Sequence, residues 1–359
     1  MQHAGAPVLI RVDGAAQVGL GHLQRSLSLA TGLSSLGVPC LFVTNDDPLV
    51  SRRVSRFGFG GATIGAVPSW GEQDLGRTVQ VAREAGCAGV VVDSDGEGLA
   101  FLAGLRREGF WVAAVDDSAS YDFPCHLVVN GDAHAAGLQY TSSSGDTRFL
   151  LGPKYSILRW EFCKPHARIV RKTPEELLVM MGGADPFNLM PRVLALVKEH
   201  PLPVRVTGVV GPFFRDVEQM QAAETQAQGA IRLVFDPDSM RDLMLEADVA
   251  VSAGGQTLYE LACVGTPTVA VSVADNQDRQ LEAFSDSGCV IVAGRGDAPN
   301  IMTDIRNLVV SLFQEEQRRA RMSAAGQQLI DGNGALRVAS AILEMLTREH
   351  TGFRASRTM

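Results

Sequence analysis

A chain of 359 residues that is 46% hydrophobic and 20% charged is long enough for two domains, each with its own core, and lacks the bias of a disordered or fibrous protein. Its formal net charge of −8 excludes nucleic-acid binding through bulk electrostatics, while leaving room for a local diphosphate pocket. No apolar stretch approaches the roughly 20 residues that span a bilayer, no basic n-region of a secretion signal opens the chain, and the six cysteines (40, 87, 125, 163, 263 and 289) have neither C-x-x-C nor zinc spacing. The expectation is a cytoplasmic protein with reduced cysteines, no metal and no cofactor.

Residues 8–12 are apolar and β-prone, and Leu23, Leu27, Ala30 and Leu33 recur at helical spacing, so Gly19-Leu20-Gly21-His22 is a turn that hands a strand to a helix. Open α/β sheets bind ligands at such carboxyl ends of strands. The glycines permit close backbone approach, and the helix start offers N–H donors to an anion. His22 at that positive dipole end is expected to stay neutral and to accept a proton near pH 7. The plainer alternative is a nucleotide-fold turn carrying a solvent-exposed histidine. A dinucleotide site is the rival: Asp46 and Asp47 follow the second strand, but Gln24 stands where its fingerprint needs a third glycine, which argues against NAD.

Further strands are expected at 40–43, 89–92, 111–115 and 127–129, alternating with helical patterns as in a parallel sheet flanked by helices. Residues 131–150 are rich in Gly, Ser, Thr and Ala. A connector punctuated by Gly152-Pro153 and Lys164-Pro165 ends at Thr173-Pro174. Strands then resume at 177–181, 204–210, 231–235, 249–252, 268–271 and 290–293, which predicts two Rossmann-like lobes, 1–165 and 174–348, with the ligand in a cleft between them. Residues 301–345 read as helical except at 331–334. The last helix has an apolar face at Leu336, Ala339, Ile342, Leu343 and Leu346, and 349–359 has no periodicity and is expected to be disordered.

Three spots in the second half share one logic. Met181-Gly182-Gly183-Ala184-Asp185 ends its first strand, with Gly183 open to ligand approach, and Ser252-Ala253-Gly254-Gly255-Gln256-Thr257 ends the fourth and opens a helix. Gly254, Gly255, Gln256 and Thr257 together supply backbone, amide and hydroxyl groups for a diphosphate without a lysine. Glu260, one helical turn on, can accept both hydroxyls of a ribose, and Asn276 and Gln277 after the next strand carry amides suited to sugar hydroxyls. A plain loop and a solvated helix glutamate are the alternatives. No glycine loop ends in Gly-Lys-Ser or Gly-Lys-Thr, so a Walker A site is excluded.

In order, Gly19-x-Gly21-His22 with Arg25, Asp116-Asp117, Leu151-Gly152-Pro153-x-Tyr155, Leu158-Arg159-x-Glu161-Phe162, Met181-Gly182-Gly183-x-Asp185, Ser252-x-Gly254-Gly255-x-Thr257-x-x-Glu260 and Asp331-Gly332-x-Gly334 resemble the PseG family, hydrolases of a UDP-diacetamido-trideoxy sugar in pseudaminic acid synthesis. The resemblance runs from residue 8 to about 345. It implies the two-lobed GT-B fold of glycosyltransferases such as MurG, with water as acceptor. It further implies that His22 is the base beside the anomeric carbon, with Asp13 as a second acid of the site. Gly21, Arg25 and Asp93 would line the sugar with Asn276 and Gln277, and the second lobe would hold UDP. The partner is thus a small nucleotide-sugar; a glycosyltransferase and a non-catalytic nucleotide-sugar binder are the alternatives. One departure stands out: the family's Asp-His-Tyr after the third strand of the first lobe is Asp93-Ser94-Asp95 here, which points to a different sugar.

Overall fold

The computed structural model describes residues 5–14, 20–94, 98–164, 167–199 and 204–355. Residues 1–160 with 333–359 form one compact unit and residues 161–332 another. The first unit runs β1 (Val8–Val12), α1 (Gly21–Ser35), β2 (Cys40–Thr44), α2 (Pro48–Arg56), β3 (Gly60–Thr63), α3 (Glu72–Glu84), β4 (Gly89–Asp93), α4 (Leu99–Arg107), β5 (Trp111–Val115), β6 (Leu127–Asn130) and β7 (Arg148–Leu151). All seven strands are parallel, in the order β3-β2-β1-β4-β5-β6-β7. The central strand β1 has Val8 level with Cys40 on one side and Gly89 on the other.

Alternation along β1 sorts its side chains to two cores. Val8, Ile10 and Val12 join Leu23, Leu27 and Leu33 of α1, whereas Leu9 joins Val79, Phe101, Leu102 and Leu105 from α3 and α4. Burying each such leucine fully contributes about 1.5–3 kcal/mol. β3 and β7 went unpredicted. β3 is Gly-Gly-Ala-Thr at a sheet edge with no buried residue, and β7 is a short Arg-Phe-Leu-Leu at the other edge, whose apolar run abuts the Gly/Ser-rich stretch read as connector.

The second unit repeats the plan with β8 (Glu176–Met180), α5 (Leu189–Glu199), β9 (Arg205–Val210), α6 (Val217–Gln226), β10 (Ile231–Phe235), α7 (Met240–Glu246), β11 (Val249–Ala253), α8 (Thr257–Val264), β12 (Thr268–Ser272), α9 (Asp278–Asp286), β13 (Val290–Arg295), α10 (Ile301–Gln314) and α11 (Glu316–Leu329). Its parallel sheet is ordered β10-β9-β8-β11-β12-β13. Part of the expected connector is built into this unit. Arg168 donates to the carbonyls of Met244, Leu245 and Ala247 at the end of α7, and buried Arg319 of α11 holds those of Arg171 and Lys172.

The chain then returns to the first unit as α12 (Gly334–Ala355). This corrects the expected boundary at 348: Ala335, Val338, Ala339, Ile342 and Leu346 are buried with Leu23, Leu27 and Leu33 of α1. Any side chain at position 334 would collide with the Ser156 carbonyl, which accounts for Gly334 at the helix start. The expected disorder from 349 is also corrected as far as 355, because α12 continues to Ala355. Residues 356–359 lie outside the described residues.

Candidate functional site

In each unit the strand order reverses beside the first strand, so neighbouring strands send their following loops to one edge of the sheet. These are β1, β4 and β5 in the first unit and β8, β11 and β12 in the second. Such reversal points are where open α/β sheets bind ligands.

His22, Arg25 and Ser26 are three and four residues apart on α1 and therefore share a face. All three reach Asp93 at the end of β4, whose side chain is wholly buried. His22 Nδ1 lies 2.7 Å from Asp93 Oδ1. Arg25 donates from Nε to Oδ2 at 2.9 Å and from Nη2 to Oδ1 at 2.6 Å, and Ser26 Oγ donates to Oδ2 at 3.0 Å. Arg25 Nη1 is 2.8 Å from both oxygens of Asp117, which follows β5.

Burial alone would raise the Asp93 carboxyl pKa. The positive charges of Arg25 and His22 and their hydrogen bonds overcome that and hold it well below the usual carboxylate range. Burial likewise opposes the charge on Arg25, and Asp117 and Asp93 overcome it, so its pKa lies well above normal. In the tautomer whose Nδ1–H donates to the ionised Asp93 carboxylate, the basic lone pair falls on Nε2. Gly21 is the first residue of α1 and sets His22 in place.

Asp13 belongs to a different cluster. Its Oδ1 takes Arg11 Nη1 at 2.5 Å and the Asn45 N–H at 3.2 Å. Arg11 is fully buried, donates from Nε and Nη2 to Asp74 of α3 and lies over the Trp70 ring at 4.2 Å. Asn45 in turn brackets Gly14, its amide pairing both the N–H and the C=O of that residue at 3.0 Å. Asp116 is likewise occupied: it accepts the Ser118 and Ala119 N–H groups and the Tyr140 hydroxyl at 2.7 Å.

The second unit builds its edge from glycine and amides. Gly254 is buried after β11 and donates its N–H to Val271 O, and a Cβ there would lie 3.0 Å from both Gln277 Oε1 and Leu281. Gly255, Gln256 and Thr257 are partly exposed and lead into α8, where the N–H groups of Leu258 and Tyr259 donate to the carbonyls of Gly255 and Gln256 at 3.0 and 3.1 Å. Gln280 of α9, which sequence reasoning missed, donates to the carbonyls of Gly254 at 2.8 Å and Gly255 at 3.2 Å. Gln277 Oε1 accepts the Val273 N–H, whereas Asn276 is exposed. Glu260 is only 2% exposed, which removes the solvated-helix alternative. Gly183 is exposed after β8 and accepts from Phe213 N, and Asp185 beside it caps α5 through the N–H groups of Leu189 and Met190.

The structure thus joins His22, Arg25 and Asp93 in one unit and Gly254, Gly255 and Gln277 in the other. Gly19 of the first turn and Asp95 of the Asp93-Ser94-Asp95 segment lie outside the described residues, as does Pro165 of the connector. Among the described residues no group of three or more His, Cys, Asp or Glu could hold a metal ion, and no helix is long and apolar enough to cross a membrane.

Residues 177–335 match the glycosyltransferase family 28 C-terminal domain. The chain is 28% identical over 211 residues to the spore coat polysaccharide biosynthesis protein SpsG of Bacillus subtilis, covering 57% of this chain and 61% of that protein. It is 20% identical over 273 residues to the UDP-2,4-diacetamido-2,4,6-trideoxy-beta-L-altropyranose hydrolase of Campylobacter jejuni, covering 76% of this chain and 93% of the hydrolase. A further curated relative, an uncharacterised protein of Methanocaldococcus jannaschii, is matched over 57% of its own length, so the chain spans about three fifths of SpsG and of this protein. Acinetobacter baumannii MurG has the same fold, with a TM-score of 0.66 at 15% identity over 94% of this chain and 99% of that one. The architecture is GT-B, as the sequence resemblance implied.

Proposed function

We propose that this chain cleaves a UDP-activated amino sugar at its anomeric carbon and passes the sugar to water, as a step in bacterial surface-glycan or nonulosonic acid biosynthesis. The observation that carries this reading is the 2.7 Å pairing of His22 Nδ1 with buried Asp93, which a simple nucleotide binder would not require. Similarity to the Campylobacter hydrolase and to the Bacillus polysaccharide protein supports the substrate class.

In the proposed step a water oxygen bonds to the anomeric carbon while the bond from that carbon to the β-phosphate oxygen breaks. The electron pair leaves with UDP, and His22 Nε2 takes the proton of the attacking water. Asp93 steadies the imidazolium so formed. The turn receives the departing diphosphate through the N–H groups of Gly255, Gln256 and Thr257 and the α8 dipole, with the small Gly254 and Gly183 leaving room beside it. Glu260 accepts the ribose hydroxyls, Asn276 and Gln277 hold the sugar, and Asp13 stays with Arg11 and Asn45. Diphosphate is already a good leaving group, so positioning and electrostatics carry most of the rate enhancement.

The family 28 match over 177–335 favours a second reading, glycosyl transfer, in which the same base activates a sugar hydroxyl. Incubation with a panel of UDP-amino sugars, with and without acceptor glycans, separates the two when free sugar and UDP are followed by NMR. Hydrolysis yields both in equal amounts without acceptor. UDP release only when acceptor is present replaces hydrolysis by transfer, and no release in any arm overturns both.

A further inference from the structure

The proposed base does not face a simple carboxylate. His22 Nδ1 lies 2.7 Å from Asp93 Oδ1 and 2.8 Å from Arg25 Nη2, and that same Nη2 is 2.6 Å from Asp93 Oδ1. The three atoms form a triangle in which a protonated imidazole would meet a cation as closely as an anion. Arg25 is not free to turn away. Its Nε is tied to Asp93 Oδ2 and its Nη1 to both oxygens of Asp117, and its side chain is 13% exposed.

Among the described residues, charged groups reach His22 from three elements. Asp93 ends β4, Arg25 lies on α1 itself, and Asp117 after β5 acts through Arg25. The acid after β1, Asp13, is paired with Arg11.

We propose that Arg25 is a positioning residue for the base: held between Asp93 and Asp117, it offsets the negative charge that Asp93 turns toward His22, so that the carboxylate orients the imidazole without keeping it protonated. Asp93 alone would orient His22 but also trap the proton that catalysis must release. Arg25 separates these two effects. The guanidinium does this better than an ammonium, because one planar group reaches two carboxylates and the ring nitrogen together. This deepens the function proposed above and rests on His22 as the base.

The test is a titration of His22 by NMR in the unliganded full-length protein, with the imidazole Cε1–H signal assigned by its loss in His22→Asn. Removing the cation in Arg25→Gln leaves Asp93 unopposed, and the midpoint is expected to rise by ~1–3 pH units, the range for one charge at this distance. Removing the anion in Asp93→Asn is expected to lower it. The double variant returns toward the wild-type midpoint, and Arg25→Lys, which keeps the charge, stays near it. Asp117→Asn leaves both groups that touch His22 in place and provides a soluble check if Arg25→Gln fails to fold: its midpoint stays level or falls, as Arg25 loses one compensating carboxylate.

In the pH profile of kcat/KM for sugar release, the acid limb should move with the NMR midpoint. An Arg25→Gln midpoint that stays level or falls, or an Asp117→Asn midpoint that rises, overturns the proposal. The two layers separate cleanly: a shifted midpoint with no turnover on any nucleotide-sugar keeps the charge offset and removes the reaction. An unshifted midpoint with turnover lost in His22→Asn keeps the reaction and removes the role of Arg25.

Discussion

The two units place loops at equivalent positions, after β1, β4 and β5 in one and after β8, β11 and β12 in the other, and furnish them with opposite chemistry. The first gathers ionisable side chains: Asp93 has its side chain wholly out of water, with His22 and Arg25 against it and Asp117 behind Arg25. The second relies on backbone and neutral amides, with Gln280 holding the carbonyls of Gly254 and Gly255 and Gln277 pressed against the same turn. A repeated fold thus supplies the same location twice, while the local residues decide what that location does.

The contrast is broken most severely at Asp93. Asp93→Asn leaves Arg25 and His22 facing a neutral amide in a buried setting, and the first unit is expected to lose about 3–5 kcal/mol of stability, measurable by urea unfolding. The pH dependence has a definite sign. The folded-state carboxyl pKa of Asp93 lies below the ordinary value of 3.8, so its contribution is fully present above that value and is lost as pH falls toward the folded one. Wild type should therefore lose stability on acidification below about pH 4 more steeply than Asp93→Asn. Equal slopes would mean that Asp93 is not held as an ionised partner.

The catalytic side of the contrast is tested by His22→Ala. Turnover should fall by roughly 10²-fold or more, the range for a positioned base, while UDP binding measured by calorimetry stays unchanged. Turnover equal to wild type at saturating substrate would remove His22 from the mechanism. A smaller effect of the opposite kind is expected at Glu260. Its replacement by alanine should weaken UDP binding by about 1–3 kcal/mol, as hydrogen bonds to a charged acceptor are lost. If the variant bound UDP as tightly as wild type, the buried carboxylate would serve packing of the second unit and not the ribose.

Much of the architecture was legible locally. The strand and helix alternation, the turns at Gly21 and Gly254 and the interruption at 331–334 are short-range patterns, and the elements appear within a few residues of the positions they imply. Edge strands β3 and β7 were missed for the same reason: β3 has no apolar run, and the short run of β7 abuts a Gly/Ser-rich stretch that reads as connector. At the site, His22 and Glu260 stood out as chemically able residues at helix starts. Nothing local marked Gln280, or showed that Asp117 would hold Arg25.

What the sequence determined by itself was therefore the succession of βα units and the types of group available at their ends, because periodicity and turn chemistry act over a few residues. Tertiary structure decided which of those groups meet. Asp93 lies 71 residues from His22 and Asp117 lies 92 from Arg25, yet parallel pairing of β1, β4 and β5 brings them to one edge. The same long-range packing sent α12 back to α1, and committed Asp13 to Arg11 while giving Asp93 to His22. A charge buried on folding must find its counterion among whatever the sheet order makes adjacent, and that order is a property of the whole fold rather than of any window of sequence.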